Sequence, residues 1–160
     1  MGKSGVKPSP LTLHSIDFMR VHVEPALNPG DSSSPAASYN FEGATLGWSF
    51  EHGAVPEQRQ WWVAVGFATD VEESDRPCPY KIDMQALGVV SVSDAIEPDK
   101  QERLAVEYGA ALVYGAIREM VTTITARSLL GPLILPTPSF VGVLDGISPS
   151  PPEQDAKSSH

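Results

Sequence analysis

The chain predicts an α+β fold, a four-stranded antiparallel sheet followed by a long helix and a short C-terminal helix. Three observations predict it. Up to about residue 100, apolar side chains recur at alternate positions in runs separated by Gly-, Pro- and Asp-rich breaks. Beyond it they recur at helical intervals. Gly131-Pro132 then halts the helical pattern ahead of a proline-punctuated apolar segment. With 160 residues, 41% of them hydrophobic, the chain has the size of one domain, which buries roughly 70% of its unfolded surface. That domain is expected over residues 11–147, between Pro/Ser/Lys-rich tails at 1–10 and 148–160.

The first strand, residues 11–24, changes phase twice. Leu11 and Leu13 share one face, Ile16 and Phe18 the other, and Val21 and Val23 return to the first. A β-bulge or burial on both faces accounts for this. Residues 25–38 (PALNPGDSSSPAAS) are a long loop. A second strand over 39–51 carries Tyr39, Phe41, Trp48 and Phe50, and His52-Gly53 begins its turn. In the third, Trp61, Val63, Val65 and Phe67 alternate with Trp62, Ala64, Gly66 and Ala68, and the small residues mark the face a helix approaches. A charged loop at 70–79 leads to the fourth strand at Tyr80, where Leu87-Gly88 breaks the phase as another bulge. From about Lys100 the stripe Leu104, Tyr108, Leu112, Ile117, Val121 and Ile124 defines the helix. Asp99 is its expected cap, and Gly109 divides it into a short and a longer piece. Ser139 caps a final helix over 140–147.

Composition narrows the function. The formal net charge of −9 disfavours nucleic acid and favours a basic partner, unfolded basic segments or plain solubility. No apolar run reaches the roughly 18–20 residues that span a bilayer, and the N-terminus has no secretory apolar core, so a cytoplasmic protein is expected. The single Cys78 is a loop thiol with no internal partner. The sequence holds no Walker loop, GxGxxG, GxSxG, HExxH or CxxC. His14 and His22, about 26 Å apart on an extended strand, do not share a metal, and Glu51-His52 has no nucleophile beside it. No enzyme, cofactor or metal site is expected. The aromatics crowd strands two to four and the neighbouring helix, either as core or as the lining of an open apolar groove.

One stretch carries more specific information. Residues 111–140, ALVYGAIREMVTTITARSLLGPLILPTPSF, place Arg118-Glu119, Arg127, Leu133, Leu135 and Phe140 in an order and spacing that resembles the C-terminal core of SecB, the bacterial protein-export chaperone. The resemblance extends to LTLHSIDFMRVHVEPA as the first strand, the Pro-rich crossover loop, residues 61–69 as the third strand and YKIDMQALGVVSVSDAIEP as the fourth. It implies an ATP-independent chaperone for protein export, assembled as a homotetramer (a dimer of dimers) that holds unfolded or precursor polypeptides beside the crossover loop and delivers them to the SecA translocase motor. On the segments that flank the family's groove, Trp48, Trp62, Tyr80, Tyr114 and Phe140 are the client-binding candidates, fewer than half of them expected to be exposed. The threonines Thr122, Thr123 and Thr125 beside Val121 and Ile124 suit a wet helix interface or simply face water.

The resemblance also places Arg20, Glu24, Lys81 and Asp83 on the motor-contact face, with two departures: Arg20 stands where the family has a carboxylate and Lys81 where it has an apolar residue. Positive charge on a surface that meets a basic partner opposes docking, so weakened handover to SecA is expected. The alternatives are a SecB-like chaperone dedicated to one client, such as an antitoxin, and a non-chaperone module that binds a folded protein.

Overall fold

The computed structural model describes residues 5, 7–26, 36–69 and 78–146. The expected tails lie outside the described residues, apart from 5 and 7–10, as do residues 27–35 and 70–77 of the two long loops. The strands are β1 (Leu11–Pro25), β2 (Gly47–Val55), β3 (Gln60–Ala68) and β4 (Tyr80–Val92), followed by the helix α1 (Pro98–Thr125) and a single 3-10 turn at Val143–Asp145. The sheet is antiparallel throughout, in the order β1-β4-β3-β2. Sequential hairpins join β2 to β3 to β4, while β1 crosses over to the far side of β4, leaving β1 and β2 as the edges.

The phase changes in β1 are two bulges. Register slips between Leu13 and Ser15 and between Phe18 and Arg20, so His14 and Met19 are the extra residues. Each slip flips the following side chains, and together they put Leu11, Leu13, Ile16, Phe18, Val21 and Val23 on one face of the sheet. No bulge occurs in β4. Ala86, Gly88, Val90 and Val92 continue the inward face begun by Tyr80, Ile82 and Met84. Gly88 is small because α1 lies on it: a Cβ there would come within 2.6 Å of Val113 Cγ2. Gly109 does not split the helix either. It faces Val63 and Val90, where a Cβ would sit 3.1 Å from Val63 Cγ2.

The helix therefore covers the bulky face of β3 (Val63, Val65, Phe67), not the small one; the small residues that matter for close approach are on β4 and α1. The buried side of α1 is Ala105, Val106, Gly109, Ala110, Val113, Tyr114, Ile117 and Val121. Tyr108 and Leu112, expected to be in the core stripe, point outward, 61% and 41% exposed. Residues 112 and 117 are five apart, which turns about 140° around a helix, so the expected stripe ran across two faces.

Three end signals resolve differently from expectation. Glu97 precedes the helix without a side-chain cap, Pro98 occupies the first turn, and Asp99 lies inside it. The C-terminal end falls at Thr125, ahead of Gly131-Pro132, because the buried Thr125 hydroxyl donates to Val121 O (2.7 Å) and accepts from Leu133 N (2.9 Å), turning the chain back on itself. Strand β2 starts at Gly47 instead of Tyr39 and runs through His52, its turn falling at residues 56–59 with Glu57 in the left-handed region (φ 59°). Beyond α1, residues 131–138 form an extended strap whose Leu133 and Leu135 are buried beside the sheet core, and the final helix is shortened to the 3-10 turn.

Candidate functional site

Four aromatic side chains meet on the inner face of the sheet. Trp48 of β2 lies opposite Phe67 of β3 in register, so their rings are cross-strand neighbours at 5.1 Å in an edge-on arrangement. Tyr114, projecting from the middle of α1, comes within 5.3 Å of Trp48 and 6.0 Å of Phe67. Phe140, at the end of the strap, closes the group at 6.2 Å from Trp48 and 5.8 Å from Tyr114. Phe67, Tyr114 and Phe140 are buried and Trp48 half-buried. Burial pushes the Tyr114 phenol well above its ordinary value, and its hydroxyl donates to Pro136 O at 2.8 Å. Beside the cluster, Tyr39 and Phe41 stack edge-on at 4.8 Å in the crossover segment, which is tied to the turn after α1 by Ala36 N–H donating to Leu130 O at 3.0 Å.

Of the five sequence candidates, Trp48, Tyr114 and Phe140 are thus brought together. Tyr80 is fully buried, with its hydroxyl donating to Gly131 O at 2.6 Å, where it anchors the start of the strap. Trp62 points to the outer face, its indole against Gly53, where a Cβ would come within 2.7 Å of Nε1. Phe67 is not among the sequence candidates, although its alternation with Trp61, Val63 and Val65 puts it on the bulky face.

The turn after Phe140 is fastened by polar groups on α1. Arg103 donates to both carboxylate oxygens of Asp145 (2.9 and 3.0 Å), and Glu107 Oε1 accepts from Arg103 (3.1 Å) and from the backbone N–H of Gly142 (2.8 Å). Hydrogen bonding from the Arg103 guanidinium holds the Asp145 carboxyl below its ordinary value. Gly142 and Gly146 flank the turn with φ of 83° and 79°, a backbone that favours glycine.

The outer face carries the four residues that the resemblance assigned to a motor contact. Arg20 donates to Asp83 at 2.9 and 3.0 Å, reaching diagonally across the β1–β4 ladder. Glu24 is opposite Lys81 in register and 3.7 Å from His22 Nε2. This is a charge-compensated surface, with Asp83 engaged by a cation. A trough of about 420 Å³ lies beside it over Gly66, lined by Arg20, Ser49, Glu51, Asp83 and Gln85.

His14 is hydrogen-bonded to Ser91 at 2.8 Å, and His52 lies inside β2 with its Nδ1 4.0 Å from Glu102. Among the described residues, no cluster of His, Cys, Asp or Glu is placed to hold a metal ion, and no helix is long and apolar enough to cross a membrane. Cys78 is buried beside Tyr80 and Thr69, and burial raises its thiol pKa.

No family model and no curated protein matches the chain. Solved structures do. A SecB-like chaperone of Mycobacterium tuberculosis, in complex with a ChAD peptide from the HigA1 antitoxin, is similar over 79% of this chain and 89% of that one, at 17% identity and a TM-score of 0.53. A protein of unknown function from Streptococcus agalactiae matches over 78% and 95%, at 13% identity and a TM-score of 0.48. Four antiparallel strands, one long helix and a terminal turn, in this order and with this overlap, give the chain a SecB-like fold.

Proposed function

We propose that this protein is an ATP-independent chaperone that holds unfolded polypeptides through apolar and aromatic side chains. The observation that carries the proposal is the four-ring cluster on a SecB-like sheet, at the seam of edge strand β2, helix and strap. Aromatic walls bury large area at low entropy cost and tolerate many apolar partners. The half-buried Trp48 on β2 is where a client side chain first makes contact, and Phe67 and Tyr114 form the walls behind it. The protein works in the cytoplasm, without catalysis, as a homotetramer. Support for assembly comes from the outward face of α1, where Tyr108 and Leu112 stand exposed beside a depression of about 310 Å³ lined by Gly115, Arg118, Glu119, Thr122, Thr123 and Ile134. The test is aggregation of a chemically denatured client diluted into buffer without nucleotide. Suppression by a stoichiometric amount of the protein is expected, and none at several-fold excess counts against a holdase.

Two finer readings of the partner remain in play, and one observation separates them. Export chaperoning ends in handover to the SecA motor. The Arg20–Asp83 pair removes a free carboxylate from the face that the resemblance assigns to that contact. At physiological ionic strength screening acts over about 8 Å, so the local patch outweighs the distant net charge. A chaperone serving one dedicated client, such as an antitoxin segment, is therefore favoured over export delivery. The solved neighbour that binds an antitoxin peptide supports the same choice. Weak binding of the cognate motor is expected for the wild type, improving for Arg20→Asp combined with Lys81→Leu. Tight wild-type binding that the double variant does not improve overturns this preference.

A further inference from the structure

The aromatic cluster is closed. Phe140 is 4% exposed and its ring sits where a client ring would have to go, against Trp48 and Tyr114. A client reaches that position only if something leaves it, and the four rings differ sharply in how firmly they are held. Phe67 belongs to β3, hydrogen-bonded to β2 on one side and β4 on the other. Trp48 is in β2, paired along its length with β3. Tyr114 sits mid-helix with its hydroxyl tied to the strap. Phe140 alone lies outside any strand or helix, at the start of a one-turn segment. That segment is held to α1 by the Arg103–Asp145 pair, whose side chains are 50% and 54% exposed, and by the Gly142 N–H on Glu107.

We propose that Phe140 is an internal plug, an intramolecular stand-in for a client aromatic, and that the Arg103–Glu107–Asp145 clasp sets how often the plug leaves. The inference rests on the client-binding reading above and deepens it: the preferred client is an unfolded segment whose aromatic side chain replaces Phe140 between Trp48 and Tyr114. Exposed ion pairs are individually weak, so the clasp makes opening infrequent without forbidding it. The apparent affinity for a client then falls by the fraction of molecules in which the site is open. Rising salt weakens the same pair and raises that fraction. The arrangement keeps an apolar surface covered until a competing aromatic segment arrives.

The experiment compares wild type, Asp145→Asn and Phe140→Ala. Two probes are used, a labelled synthetic peptide rich in Trp and Leu and the same peptide with every Trp replaced by Ala. Asp145→Asn is a surface change that leaves the core intact. It is expected to speed amide exchange at residues 140–146 and to tighten the Trp peptide by about two- to five-fold, with 1 M salt reproducing most of that gain in the wild type and none in the variant. Phe140→Ala, measured under conditions where the variant stays folded, is expected to tighten the Trp peptide and leave the Ala peptide unchanged. If Asp145→Asn accelerates exchange but binds as the wild type does, or if Phe140→Ala binds the Trp peptide more weakly, Phe140 is a wall of the site and the plug is wrong. If all three proteins fail to bind a peptide that a known holdase captures in the same assay, the client reading itself falls, and the plug with it.

Discussion

Thr125 shows how one hydroxyl decides the end of a helix. It is fully buried, donates into the last turn of α1 and accepts the N–H of Leu133, which has turned back along the helix. Thr125→Val keeps the shape and removes the acceptor, leaving that buried N–H unpaired at a cost of about 1–3 kcal/mol; the shift in denaturation midpoint, at unchanged slope, measures it. Gly88 makes the complementary point for packing. Gly88→Ala forces a methyl toward Val113 Cγ2 and is expected to destabilise by about 1–3 kcal/mol, with a smaller penalty on a Val113→Ala background, where the clash is gone. Equal penalties on both backgrounds would show that Gly88 is needed for something other than helix approach. Cys78 carries a prediction of its own. Burial raises its thiol pKa, so the thiolate fraction is low and the sulfur is covered. A thiol reagent at neutral pH should label it slowly in the folded protein and rapidly in denaturant.

At the scale of elements, periodicity located each strand and the helix but not always the side each presents. The two phase changes in β1 were visible in the sequence, and paired bulges at His14 and Met19 are their cause. In α1, apolar residues lie on both sides, so counting them gave a stripe that crosses from the outward Tyr108 and Leu112 to the buried Ile117 and Val121. The terminal turn carries the pH dependence. Asp145 has its pKa depressed by Arg103, so the clasp contributes fully above the ordinary carboxyl value of 3.8 and is lost as pH falls through the lower folded value. Amide exchange at residues 141–146, corrected for its intrinsic pH dependence, should therefore show protection at pH 7 that weakens in strong acid. Asp145→Asn should show little of that change. Because both side chains are half exposed, salt at neutral pH should reduce the same protection.

For the whole molecule, the question is what covers the outward side of α1 and the edge of β1, where Leu13, Met19 and Val21 are exposed. A second copy is the occupant consistent with the proposed dimer of dimers, in which closed two-fold symmetry uses each surface on both partners. Light scattering is expected to give a particle of about four chains. Tyr108→Asp with Leu112→Asp should reduce it to a smaller species of unchanged secondary structure. A wild type that remains a monomer at micromolar concentration would remove the assembly from the proposal.

What the sequence determined by itself is the class and order of the elements, the identity of the sheet's bulky face and three members of the aromatic cluster. The first two follow from local alternation, helical spacing and turn chemistry, which are properties of neighbouring residues, whereas Trp48, Tyr114 and Phe140 come from the resemblance to SecB. Tertiary structure alone decided which face the helix covers, since small residues occur on both sides of the sheet and the close approach is made where Gly88 lies under Val113 and Gly109 over Val63 and Val90. It also set Trp62 apart from the other rings, brought in Phe67 and sealed the cluster with Phe140. The charge on the outer face was likewise a matter of three dimensions. Arg20 and Asp83 are distant in sequence and read singly as opposing signs, but the β1–β4 register lays them within 2.9 Å of each other, and at that separation the pair, not either charge, is what a partner meets.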